Sequence, residues 1–226
     1  MMIDINVYWC LVPWLGEKGS VGMKVTKAQA EENRAHIVET ASRLFRERGY
    51  DGVGVADLMA AAGFTHGGFY KHFRSKADLI AEAAACGMSQ TVALQKGVDI
   101  REFVNQYVSR EHRDAPGTGC TMAALCGDAA RQPEEIKAKF AAGIETSLAA
   151  FERDGATFPA MDQREVRAKL IDMFARSVGA IILSRACPDD SALADELLEA
   201  CRSEILAALP SSVDNDASTG GPTHHV

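Results

Sequence analysis

The sequence predicts an all-α protein of about nine helices, and three observations carry that prediction. Apolar residues recur at spacings of three and four along most of the chain, as at Ile37, Ala41, Leu44 and Phe45, which is the period of one helix face. Strict alternation of apolar and polar residues over the length of a strand is hard to find. Gly49, Gly63, Pro116-Gly117, Pro133, Pro159 and Pro188 cut the pattern into helix-sized pieces, because neither glycine nor proline continues a helix without cost.

Taken in order, the first helix is expected at about residues 27–48. Thr26 with Gln29 three positions on is a capping-box pattern, and Arg46 and Arg48 before Gly49 form a stop signal. A short helix follows at 55–62 and ends at Gly63, Thr65 can cap another short segment running to His72, and Ser75 with Asp78 starts a fourth helix. After Gly97, helices are expected at 99–111, 120–131, 134–154, 162–186 and 189–208. Residues 210–226 hold turn formers and few apolar anchors and read as a disordered tail. Residues 1–22 contain an apolar patch, Val7 to Leu15, preceded by Asp4 instead of a basic stretch and without a small-residue cleavage site, so it does not read as a signal peptide. They are set apart from the fold as an extension, disordered or produced by a mis-called start.

Composition narrows the function. The 226 residues are 47% hydrophobic and 24% charged, ordinary values for a globular protein. A net charge of −7 excludes a surface built wholly for nucleic acid. Charge is uneven, however: residues 23–90 carry nine Lys/Arg against eight Asp/Glu, and residues 91–226 fourteen against twenty-one. Any nucleic-acid site therefore belongs to the N-terminal part. The apolar run Ala180 to Leu183 lies between Arg176 and Arg185, far short of the roughly 18 residues of a spanning helix, so no membrane partner is expected. Six cysteines without paired CxxC spacing fit a reducing cytoplasm.

The informative stretch runs from Gly52 to Phe73, where two helices of under three turns meet at a turn around Gly63-Phe64. That is helix-turn-helix geometry. Leu58, Met59, Phe64, Phe69 and Phe73 can form the small core beneath it, leaving Thr65, His66, Gly67, Tyr70, Lys71 and His72 to face a groove. Gly67 and Gly68 inside a helix cost roughly 1 kcal/mol each relative to alanine, which suggests close backbone approach by something outside.

Here the chain resembles the tetracycline-repressor (TetR/AcrR) family of bacterial transcription regulators. Tyr70-Lys-His-Phe73, Arg74 and Ser75-Lys-Ala-Asp-Leu79 reproduce its hallmark, and Ile37, Ala41, Leu44, Phe45 and Gly49-Tyr50 match its leading helix. The specific resemblance covers residues 30–80. It implies a homodimer on double-stranded operator DNA, with a helix-turn-helix head at 23–73, a ligand-binding and dimerisation body at 74–209, and release from the operator by a small-molecule effector. Thr65, His66 and Lys71 would then meet bases or backbone, and Tyr70 and Lys76 phosphates. One departure is Gly54, where the family commonly has Thr or Ser, so no side-chain clamp exists there.

In the body, Phe103, Tyr107, Met122, Cys126, Phe140, Ile144 and Phe174 supply apolar surface at helical spacing for an effector pocket, with Tyr107 and Arg110 as polar anchors for a small apolar or weakly acidic molecule. Helix 162–186 is apolar on more than one face, with Val166, Leu170 and Phe174 on one stripe and Gly179, Ala180 and Leu183 on another. Helix 189–208 repeats Leu193, Leu197, Cys201 and Ile205 at spacing four. Together these helices predict a four-helix dimer interface.

Other functions were weighed on the same residues. His36, His66 and His72 lack a Cys or carboxylate at ligand spacing, His224-His225 is sparse, and no metal or other cofactor is expected. An enzyme built on His112, Asp114 and Cys120, or on Glu134-Glu135, lacks an oxyanion device, and acidic residues in a first turn are ordinary dipole partners. A helical interaction module without DNA binding would have no use for Ser75-Lys76. A sharper rival is a thiol-sensing repressor using Cys120 or Cys126, with Arg131 or Arg113 approaching the sulfur.

Overall fold

The computed structural model describes residues 26–95, 97–154, 158 and 161–210. The expected extension 1–22 and the expected tail 210–226, except Pro210, lie outside the described residues. Among the described residues the chain is all-α: α1 Lys27–Arg48, α2 Val55–Ala61, a 3-10 helix His66–Lys71, α3 Lys76–Gln95, α4 Ile100–Tyr107, α5 Arg110–Asp114, α6 Thr121–Ala129, α7 Glu134–Asp154, α8 Gln163–Arg185 and α9 Ala192–Ala208. None of these helices is long and apolar enough to cross a membrane.

Capping accounts for most of the boundaries. Thr26 accepts from the Gln29 N–H at 3.2 Å, and Ser75 Oγ accepts from the Asp78 N–H at 3.1 Å. Asp162 and Glu165 close a reciprocal capping box ahead of α8. The helix expected at 99–111 is instead two: Val108 leaves the helical region at φ −90°, ψ 64°. Ser109 then caps α5 by accepting from the His112 N–H at 3.2 Å.

The core is one continuous apolar cluster running from Ile37 to Leu209. Helix α3 packs on α1 on one side and α7 on the other, and α8 lies against α9. Residue Gly87 permits the crossing of α1, α3 and α6: a Cβ there would stand 2.3 Å from Thr121 Oγ1 and 2.4 Å from Arg46 Nη1. Arg46 is buried at this crossing and donates to Gly117 O at 2.9 Å and Ser42 Oγ at 2.8 Å. It thereby ties α1 to the loop that starts α6.

Candidate nucleic-acid interface

The turn between α2 and the 3-10 helix is set by hydrogen bonding. Phe64 N–H donates to Met59 O at 2.8 Å and Gly63 N–H to Ala60 O at 3.0 Å, the two bonds of a Schellman motif. Its left-handed residue is Gly63, at φ +80°. Phe69 and Phe73 are buried, their rings 5.5 Å apart, and with Leu58 and Met59 they form the floor of the motif.

The segment above that floor is a 3-10 helix, where a regular helix to His72 was expected. Two consecutive glycines, Gly67 and Gly68, account for the loss of the regular α-helix, since each lowers helix stability. Thr65 occupies the N-cap position, but its side chain makes no capping bond. Its hydroxyl is therefore not committed to the cap. Thr65, His66, Gly67, Tyr70 and Lys71 are all exposed, and Tyr70 is 70% exposed, the largest value among the exposed large apolar residues. A Cβ on Gly67 would meet nothing within 4 Å; packing inside the protomer does not require glycine there.

Two expected contacts sit differently. His72 is half-buried, its ring 6.4 Å from Phe64 and its carbonyl accepting from Arg34. Burial, then the charges of Arg34 and Lys71, lower its pKa and favour the neutral ring. Lys76 is also half-buried, and its ammonium donates to Tyr50 O at 2.6 Å, which ties α3 to the loop after α1. At Gly54, the Asp57 carboxylate accepts from the backbone N–H at 3.2 Å.

In the body, the structure gathers Phe103 and Tyr107 (5.3 Å between rings) and places Phe151 between Phe103 (5.0 Å) and Phe174 (6.4 Å). Tyr107, Met122 and Phe140 are buried, and Cys126, Ile144 and Phe174 are half-buried. Phe151 was missed because only the fold brings it to α4. The expected anchor Arg110 is half-buried and committed to Asp195 at 2.6 Å. Among the described residues, the buried polar side-chain atoms without a hydrogen-bond partner are Tyr50 Oη, Tyr107 Oη, Ser177 Oγ and Arg185 Nη1. A cleft of about 710 Å³ does exist, but it is lined by none of the seven expected residues.

The thiols are shielded. Cys120 is 4% exposed, and burial, then Cys120, raises the Cys126 pKa to about 11. The cations that approach Cys120 are Arg46 and Arg185, whereas Arg131 pairs with Asp128 at 2.8 Å. His112 accepts the Cys120 N–H at 3.0 Å and packs its ring 4.4 Å from that of Tyr107. Burial lowers its pKa to about 4, with the Arg185 charge acting in the same direction.

On the expected dimer face, Leu183 and Leu193 are more than half exposed, and Gly179, Leu197 and Cys201 are half-buried. Ala180 and Ile205 are not on that face: both are fully packed within the protomer. The reason is geometric, since a spacing of four residues advances about 40° around a helix at each step. The stripe beginning at Leu193 consequently turns into the core by Ile205. Ile171 and Ile182 of α8 are exposed as well. Among the described residues no group of three or more His, Cys, Asp or Glu is arranged to hold a metal.

These features define a helix-turn-helix protein with an all-helical body. Residues 37–90 match the model of bacterial regulatory proteins, tetR family, so this segment is similar to the head of that family. It is 42% identical over 57 residues to the HTH-type transcriptional regulator AcrR of Shigella flexneri, covering 25% of this chain and 26% of that protein. The regulator TtgR of Pseudomonas putida is 46% identical over 55 residues, 24% of this chain and 26% of its own length. The match thus spans about a quarter of these relatives. A longer one, to the repressor NemR of Escherichia coli, is 25% identical over 135 residues, 55% of this chain and 68% of the relative. The body's fold is shared with solved structures. Reduced E. coli NemR superposes with a TM-score of 0.63 at 17% identity, covering 79% of this chain and 97% of that one. A TetR-family regulator from Cytophaga hutchinsonii gives 0.62 at 20% identity, covering 83% and 98%.

Proposed function

We propose that this chain is a sequence-specific, DNA-binding transcriptional regulator that represses as a homodimer in the cytoplasm and is released by a small-molecule effector. The observation that carries the reading is the exposed row Thr65, His66, Gly67, Tyr70 and Lys71 above a floor of buried aromatics. Apart from the edge-to-face contact of Tyr70 with Phe69 at 5.3 Å, the row stands open to solvent, and its chemistry suits phosphates and base edges. His66 and Lys71 read bases; Tyr70 and the free Thr65 hydroxyl hold the backbone. His72 contributes from the flank, and Lys76 acts by fixing α3 to Tyr50.

In this reading the head ends near residue 73 and the body spans 74–209. Dimerisation uses the exposed faces of α8 and α9, around Ile171, Gly179, Leu183, Leu193, Leu197 and Cys201. Two heads would then meet successive major grooves about 34 Å apart. The aromatic cluster around Phe103, Tyr107 and Phe174, with Met122, Cys126, Phe140 and Ile144, is the effector site, and a ligand acts by changing the separation of the heads. No catalytic role is assigned. Fluorescence anisotropy with a duplex from upstream of its own gene tests the proposal. Binding at least about a thousandfold tighter than to an unrelated duplex at the same salt is expected; equal affinity for both would refute specific recognition.

A further inference from the structure

The exposed row is tied to the rest of the head at its C-terminal end. Arg34 of α1 donates to His72 O and to the Glu82 carboxylate of α3, and its guanidinium carbon stands 4.4 Å from the centroid of the buried Phe73 ring. One planar group thus joins three parts of the head: α1 carries it, residues 72–73 give it a carbonyl and an aromatic face, and α3 gives it a counter-charge. A guanidinium combines these because its donors form a flat fork that also stacks on a ring, whereas an ammonium is a point charge. Among the described residues, Arg34 is the one side chain of another helix that hydrogen-bonds residues 65–73.

The segment needs a directional restraint for a physical reason. Phe69 and Phe73 seat it on its floor by apolar contact, which resists separation but has no direction. The hydrogen bonds from Gly68 N–H to Thr65 O and from His72 N–H to Phe69 O, both 2.9 Å, close turns within the segment and fix nothing against α1 or α3. Gly67 and Gly68 in its middle widen its backbone freedom. Side chains that read base edges must be held in place by contacts behind them. The bond from Arg34 is the contact that sets the rotation of the segment on its floor.

We propose that Arg34 is a positioning residue of the DNA interface: it locks the end of the row so that His66 and Lys71 meet base edges in register, and it does not itself touch DNA. The inference rests on the regulator reading and adds to it a residue outside the helix-turn-helix. The Arg34 fork is committed to His72 O and Glu82, with its face on Phe73, so a phosphate would have to displace one of them.

Anisotropy across a salt series tests this in Arg34→Met, Arg34→Lys and Glu82→Gln, using a duplex that the full wild-type chain selects from a random library and a scrambled duplex of the same composition. Arg34→Met should weaken the selected duplex at least about tenfold and the scrambled one less than about twofold, with the salt slope unchanged. Arg34→Lys should fail to restore the selected duplex, because charge without the fork does not hold both acceptors. Glu82→Gln makes the head more positive, so charge alone would tighten every duplex; the clamp predicts instead a selected-to-scrambled ratio lowered by about threefold. Amide hydrogen exchange without DNA is a readout independent of the regulator reading: residues 72–73 should exchange at least about tenfold faster in Arg34→Met, and α9 at the wild-type rate. A lowered salt slope with rescue by lysine would make Arg34 a phosphate contact, and an unchanged ratio in Arg34→Met or unchanged exchange at residues 72–73 would remove the clamp; each overturns the proposal. Equal affinity of the wild-type chain for all duplexes, with exchange still accelerated in Arg34→Met, overturns the regulator reading and with it the role in recognition.

Discussion

Replacing Gly87 by alanine should destabilise the protein although it removes a helix-breaking residue from the middle of α3. In an open helix the change gains about 1 kcal/mol. At Gly87 the new Cβ would stand 2.3 Å from Thr121 Oγ1, 2.4 Å from Arg46 Nη1 and 2.8 Å from Ser42 Oγ. Threonine and serine are too short to swing aside, so the backbones of α1, α3 and α6 must separate. Overpacking of this kind costs about 1–3 kcal/mol. Displacing Arg46, 6% exposed, from Ser42 and Thr121 adds about 1.5–3 kcal/mol for hydrogen bonds of a charged group. The net expectation is a loss of about 1.5–5 kcal/mol. Gly127 on α6, with nothing within 4 Å of its Cβ position, is the control, and Gly127→Ala should gain about 1 kcal/mol. Urea unfolding followed by circular dichroism, at one protein concentration, measures both. Equal stabilisation by the two substitutions would refute the three-helix contact at Arg46.

Further outcomes follow from the same geometry. Tyr70→Phe should weaken binding to all duplexes alike, and Lys71→Ala should change which duplex is preferred, both read by anisotropy across a salt series that also gives the salt slope of binding. Lys76→Ala should leave that slope unchanged and instead lower stability by about 1 kcal/mol, the value of its bond to Tyr50 O. His112 has a folded pKa of about 4 against an ordinary 6.5, so the unfolded chain binds the extra proton. Stability should be constant above about pH 6.5 and fall by about 3 kcal/mol as pH drops towards 4, a dependence that urea midpoints will show flattened in His112→Gln. Leu183→Glu with Leu193→Glu should yield monomers in sedimentation at micromolar concentration, since both side chains are exposed in the protomer.

Much of this architecture was legible because local signals carried it. Helix α7 begins at Glu134, directly after Pro133, and α1 runs between Thr26 and Gly49, where the caps stand in the sequence. The α4/α5 break was signalled by Ser109 ahead of Arg110-Glu111 but hidden by the apolar spacing that continues across it. Long-range contacts were not legible. Nothing near Arg46 or Arg185 in the chain marks them as two arginines of one cleft, and nothing near Lys76 marks Tyr50 O as its acceptor. The exposed row Thr65 to Lys71 was readable because a single short segment supplies it, whereas the aromatic cluster of the body depends on Phe151 meeting Phe103 across the fold.

The most direct test of the regulator assignment is selection of the full chain on a random duplex library, followed by sequencing, with Lys71→Ala and His66→Ala run in parallel. The account predicts enrichment of an inverted repeat whose half-sites lie about one helical turn apart or a multiple of it, with altered base preference in both variants. Recovery of the starting library without any enriched repeat, or the same repeat from all three chains, would contradict it.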